Sequence, residues 1–276
     1  MAADVTSPEP EPKGFVPLEP VAAAAPPQSE EMPHRFGFLL LYGILGLALG
    51  ATMSGLVLAF NAKLTTGGPP WSTWRPTGGG IGAAQQIAEH VGGEYRLANG
   101  DQLVDVIAKA PSVTAGNTTI PVGYVAVRGK RGATDQLFPV SGSNSVMYTL
   151  CGLGPSCTIA TGKASVARGR LVRREILELA LYTFHTVGGA DNVLALMPPS
   201  SATKPPVLVY LRRGDLGPEL RLPLGDSLGA QVPKPGSMPP RERQLVDATT
   251  GSRAYSFSLT RAQDGNAILI LAPLAA

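Results

Sequence analysis

Residues 165–186 read SVARGRLVRREILELALYTFHT, and the reading of this stretch decides the fold class. Val172, Ile176, Leu179, Thr183 and Val187 fall three or four residues apart, and Leu177, Ala180, Leu181 and Phe184 widen the stripe they form. That spacing is an α-helix with one broad apolar face. Ser165 stands where a side-chain oxygen caps the first turn.

The flanks have a different period. Residues 122–128 and 146–150 before the helix, and 193–197, 207–212, 255–260 and 267–271 after it, are short runs of β-branched and aromatic residues. Asp264-Gly265 joins the last two as a hairpin. Upstream, Ile81, Ala84, Ile87, Ala88 and Val91 space a shorter helix that stops at Gly92-Gly93. Residues 95–108 form a hairpin around Asn99-Gly100. Residues 214–241, dense in proline and glycine, are expected to be an irregular loop. The order of elements predicts an α+β domain over residues 81–276, a mainly antiparallel sheet carrying one long and one short helix.

Outward again toward the N-terminus, residues 61–80 (NAKLTTGGPPWSTWRPTGGG) read as a Gly/Pro linker. Trp71 and Trp74 there suit either domain packing, which we favour, or the membrane interface. Residues 36–60 (FGFLLLYGILGLALGATMSGLVLAF) hold no charge and no proline. They are long enough to cross a bilayer as a single transmembrane helix and too long for the core of a signal peptide. Gly46, Gly50 and Ser54 recur every fourth residue, a smooth stripe suited to pairing with a second helix and hence to a homodimer in the lipid bilayer. Residues 1–35 form an acidic tail. Prolines block regular structure there, so it is expected to be disordered.

Charge follows the same division. The tail carries Asp4, Glu9, Glu11, Glu19, Glu30 and Glu31 against Lys13 and Arg35, whereas the whole chain has a formal charge of +3. The basic surplus therefore lies after residue 60. Arg35 on one side of the span and Lys63 and Arg75 on the other give no positive-inside support for a cytoplasmic N-terminus. The arrangement of tail, anchor and domain, together with two cysteines in the domain, points to a tail inside the cytoplasmic membrane and a domain outside it. The composition, with 33 glycines, 26 prolines and 16% charged residues, excludes a large soluble helical protein, and the glycines lack collagen's period.

The chemistry on offer is limited. His34, His90 and His185 are far apart, and Cys151 and Cys157 in CGLGPSC (residues 151–157) cannot complete a tetrahedral metal site, so neither metal nor cofactor is expected. The two cysteines suit a disulfide, buried thiols or a redox pair. Residues 161–165 (TGKAS) fail as a phosphate loop, because Cys157 replaces the first glycine and Ala164 follows the lysine. No catalytic motif is present, so no catalytic residue is assigned.

The most distinctive feature is basic. Lys163, Arg168, Arg170, Arg173 and Arg174 gather at the start of the long helix, where the helix dipole disfavours cations. They suit an acidic envelope-protein partner, anionic lipid or wall polymer, or else ion pairs with Glu175, Glu178 and other acids of the domain. Aromatics do not interleave with them, which argues against nucleic acid.

WSTWRP (71–76), YRL (95–97), YTLCGLG (148–154) and LVRRE (171–175) together resemble uncharacterised single-pass membrane proteins of GC-rich bacteria, over residues 36–276 without the loops. That resemblance implies one C-terminal domain and brings no activity. The expectation is a membrane-anchored envelope protein with a non-catalytic interaction domain. The alternative is an extracytoplasmic ligand-binding domain or an enzyme with an unrecognised site. A deep pocket with ionisable groups would favour the alternative, and a shallow apolar patch the first reading.

Overall fold

The structure, a computed structural model, describes residues 70–115, 117–129, 134–201 and 204–274. Its centre is a crossover. Strand β5 (Ser145–Cys151) leads through a loop into the long helix α2 (Val166–Thr186), which returns the chain to β6 (Asn192–Leu196), parallel to β5. A helix between two strands carries the chain back to the end where it began, and so forces parallel pairing. Ser165 caps α2, its Oγ accepting from the Arg168 N–H at 3.2 Å.

Side chains alternate across β5 and β6 to build two cores. Val146, Tyr148, Leu150, Val193 and Ala195 face the helices, while Met147 and Leu194 face the opposite way. The outer core joins that helix-facing side to α2 and to α1 (Gly80–Glu94), which contributes Ala84, Ile87 and Val91. Inside it, Thr183 donates to the Leu179 carbonyl (2.7 Å), so its single proton is committed and the Tyr148 hydroxyl, 2.7 Å away, must be the donor between them.

The other side of the sheet curls round the second core. Beyond β6 follow β7 (Leu208–Arg212), β8 (Ala254–Arg261) and β9 (Ala267–Pro273), all antiparallel. Then β9 pairs in parallel with β3 (Thr118–Val127), which also pairs with β2 (Ser112–Ala115) and β4 (Gln136–Pro139). At the other end, β1 (Asp105–Lys109) pairs with β5. The two ends of the sheet, β1 and β2, are separated in sequence only by residues 110 and 111, so the sheet bends into a nearly closed barrel. A shift of register between Val122 and Tyr124 lets both Val122 and Val125 face its interior.

This corrects the expected sheet of mainly antiparallel strands with one long and one short helix. The sheet is mixed, barrel-like and nine-stranded, with parallel pairs β5–β6 and β3–β9. Five α-helices are described. The additional ones are α3 (Gly217–Leu220), α4 (Leu224–Ser227) and α5 (Pro240–Thr250), lying largely in the stretch read as a loop and just after it. Proline is tolerated at the first position of a helix, and Pro240 occupies that position in α5. The β3–β9 pairing joins distant parts of the chain, and no hairpin signal announces it.

Part of the stretch read as linker belongs to the domain. Trp71 stacks on His185 and Trp74 on His90, each with centroids 4.0 Å apart, and the Tyr182 ring meets both indoles edge-on. Ser72 Oγ lies 2.7 Å from the Tyr182 hydroxyl. The expected tail (1–35), transmembrane helix (36–60) and helix-pairing residues Gly46, Gly50 and Ser54 lie outside the described residues. Among the described residues no helix is long and apolar enough to cross a membrane.

The barrel interior makes a checkable demand. Leu194 is fully buried there, so Leu194→Ala should cost about 2–5 kcal/mol in denaturant unfolding of a chain starting at residue 70. Ile107→Ala, at a half-exposed position on β1, should cost well under half of that.

Candidate ligand cavity at the start of the long helix

The loop from β5 to α2 is tightly wound. Cys151 and Cys157 are bonded at an S–S distance of 2.02 Å. The Gly152 N–H donates to the Cys157 carbonyl (2.9 Å) and the Gly154 N–H to that of Thr158 (2.8 Å). A Cβ on Gly152 would lie 2.2 Å from the Thr158 carbonyl oxygen, so only glycine fits. Ser156 and Cys157 take φ of 53° and 62°, a left-handed conformation that side chains disfavour and the closed loop imposes.

The five basic residues singled out in the sequence separate into three settings. Arg170 and Arg173 both reach Asp247 on α5, Arg170 through Nε at 2.9 Å and Arg173 through Nη2. Arg174 is 1% exposed, and its guanidinium is enclosed on every side. It donates to Glu242 Oε1 (2.6 Å), Glu178 Oε2 (2.9 Å), the Gly229 carbonyl (2.8 Å) and the Tyr95 hydroxyl. Burial alone would lower its pKa, but Tyr95, Glu178 and Glu242 outweigh that and hold it charged. These three arginines are engaged within the domain. Lys163 is exposed, and Arg168 bonds the Thr161 carbonyl.

Arg168 also lines a cavity of about 330 Å³. It opens at the C-terminal ends of the parallel strands β5 and β6, where a crossover leaves a crevice between strand ends and helix start. Ile159 from the disulfide loop, Val172 from α2, Met197 after β6 and Val207 before β7 give it apolar walls. Arg168 and Lys204 are the charged groups of the lining, and no acid joins them. Ser165 and Ser200 add hydroxyls. Burial pulls the Arg168 pKa down, which disfavours leaving its charge without a counterion. Such a space receives an apolar body and an anionic end together. Sequence reasoning singled out Arg168 but not Lys204, which lies far along the chain outside any cluster.

Glu175, which the sequence offered as a solvated or ion-paired partner for the arginines, is instead fully buried on α2. Neither of its carboxyl oxygens has a hydrogen-bond partner among the described residues. Burial first, and the neighbouring Glu178 second, push its pKa well up, with Arg174 opposing. It therefore tends to stay protonated.

Two predictions follow from these surroundings. Arg174→Met leaves Glu178 and Glu242 buried without their cation and should cost about 3–5 kcal/mol in denaturant unfolding, far more than Arg168→Met. For Glu175, both states are protonated below the unfolded value of about 4.3, and the group has no effect there. As pH rises, the unfolded chain ionises freely while the buried carboxyl resists, so stability falls up to the folded pKa. Glu175→Gln should therefore unfold at the same urea concentration as the parent near pH 4 and at a higher one at pH 8. No protein-family model, characterised protein or solved structure matches this chain, so the cavity is read from its own chemistry.

Proposed function

We propose that this chain is a membrane-anchored envelope protein whose α+β domain binds a small amphipathic anion in the cavity at the start of α2. One observation carries the reading: a cavity of about 330 Å³ with apolar walls holds two cations and no acid in its lining. Its volume lies in the range of small-molecule sites, and apolar walls with a few placed polar groups are how such sites combine affinity with orientation. The apolar part of the ligand lies against Val172 and Val207, and its acidic end meets Arg168 and Lys204. The ordinary work of the domain is then capture rather than catalysis. The anchor rests on the uncharged run at residues 36–60, and the outward orientation on the layout of tail and domain.

The test is titration of the full chain, in nanodiscs of phosphatidylcholine, with octyl phosphate, octanoate and octanol. The two anions should bind more tightly than the alcohol. Arg168→Gln and Lys204→Gln should each weaken the anions by about tenfold, equivalent to about 1.4 kcal/mol, and leave octanol unchanged. Ala164→Trp should fill the cavity and abolish binding of all three. Equal affinity for octanol and the anions would refute the anion, and unchanged binding in Ala164→Trp would refute the cavity. An alkaline-phosphatase fusion at Ala276 should be active, and an inactive fusion would invert the orientation.

A further inference from the structure

The barrel interior is apolar along most of its length and turns polar where β7 ends. There the Tyr210 hydroxyl donates to Asn192 Oδ1 (2.7 Å), and Asn192 Nδ2 donates to Ser145 Oγ (3.3 Å). These side chains satisfy one another. Beside Tyr210 opens a second cavity, of about 260 Å³, which shares no lining residue with the one at α2.

Its charge is unbalanced. Asp215 is the acid of the lining, and two guanidiniums share it: Arg212 Nη2 lies 3.2 Å from Oδ1 and Arg253 Nε 3.3 Å from Oδ2. Burial works to raise the Asp215 pKa, but hydrogen bonds from Arg212 and the charges of Arg253 and Arg212 outweigh it and keep the carboxylate ionised. Two cations and one anion leave a net positive charge. Both arginines are held in place, Arg212 over the Phe138 ring at 4.6 Å and Arg253 by donation to the Thr249 carbonyl at 2.9 Å. A guanidinium has five N–H donors, and these contacts use only some of them. Gln136 from β4 and Tyr255 from β8 line the same space. Among the described residues neither the Gln136 amide nor the Tyr255 hydroxyl makes a hydrogen bond.

We propose that this mouth of the barrel binds a small ligand through a phosphate-type oxyanion, held by Arg212 and Arg253 with Gln136 and Tyr255 completing the donor set. Donors from β4, β7, β8 and the turn before β8, lining one space, suit an anion with several oxygens directed in different directions, rather than a planar carboxylate with two. Arginine, which presents a rigid fork to phosphate, is the residue such a site requires. Asp215 orients the two forks and keeps the empty site from carrying two uncompensated charges. The phosphate can belong to a free small molecule or to a lipid headgroup.

The experiment is calorimetric titration of the full chain carrying Ala164→Trp, which fills the other cavity so that an amphipathic phosphate reports on this one, in an uncharged maltoside detergent. The probes are inorganic phosphate, glycerol 3-phosphate and dihexanoyl phosphatidate. Saturable binding of at least one is expected, weakened as salt rises from about 0.05 to 0.5 M. Arg253→Gln should lower the affinity about tenfold or more, and Tyr255→Phe and Gln136→Leu severalfold each. Lys163→Gln, at an exposed cation that lines neither cavity, should change nothing. Binding of glycerol 3-phosphate identifies a free phosphate ester as the ligand, and binding of the phosphatidate alone identifies a lipid headgroup. Absence of saturable heat with every probe at millimolar concentration overturns the proposal. So does binding that survives Arg253→Gln, or that Lys163→Gln removes equally. Should Arg253→Gln fail to fold, Tyr255→Phe and Gln136→Leu decide the matter, because both leave the ion pairs intact, and unchanged affinity in both sinks it.

Discussion

The domain depends on one buried cation. Arg174 ties α2 to Tyr95 at the end of α1, to Glu242 on α5 and to the carbonyl of Gly229 in the loop connecting α4 to α5. Removing a guanidinium from water is costly, and only dense hydrogen bonding offsets the loss. Here two carboxylates, a phenol and a carbonyl surround it, so each of those segments has one position that leaves no charge exposed to an apolar neighbour. The apolar contacts of α2 hold it against the sheet. Arg174 fixes where α1, α5 and the connecting loop stand around it.

The sheet serves two cores because alternate side chains of the same strands face different surroundings. Along β5, β6 and β7 one set packs under the helices and the other fills the barrel. This leaves little room for a ligand in the middle of either core. Space remains at the strand ends, where loops and helix starts cannot close-pack, and the two cavities lie there. One takes its walls from the β5–α2–β6 crossover and is apolar with two cations. The other lies where β7 ends and is polar, with its charges arranged about Asp215. Their difference in character follows from position: the first is walled by loop and helix residues that also face the outer core, whereas the second continues the polar layer of Ser145, Asn192 and Tyr210.

The disulfide loop borders the first cavity, whereas the two tryptophans pack at the opposite end of α2. Cys151–Cys157 closes the turn that leads to Ile159, and the left-handed backbone at Ser156 is sustained by that closure. Trp71 and Trp74, stacked on His185 and His90, hold the first residues of the domain across α1 and α2. Stacked indoles and imidazoles bury apolar area with little loss of side-chain freedom.

The sequence by itself determined the local elements. The helical stripe from Val172 to Val187, the capping Ser165, and the hairpin turn at Asp264-Gly265, where Gly265 has φ of 85°, are each set by neighbours within a few residues. Only the tertiary structure decided the rest. That β3 pairs with β9 in parallel, that Lys204 joins Arg168 around one space, and that Arg170, Arg173 and Arg174 turn inward to Asp247, Glu178 and Glu242 all depend on residues far apart in the chain. A run of arginines has the same sequence whether it faces solvent or acids, because its partners are named by packing. The apolar period of α2 fixes which side of the helix is buried, but a charge beside that stripe is buried only if another element brings the opposite charge to meet it.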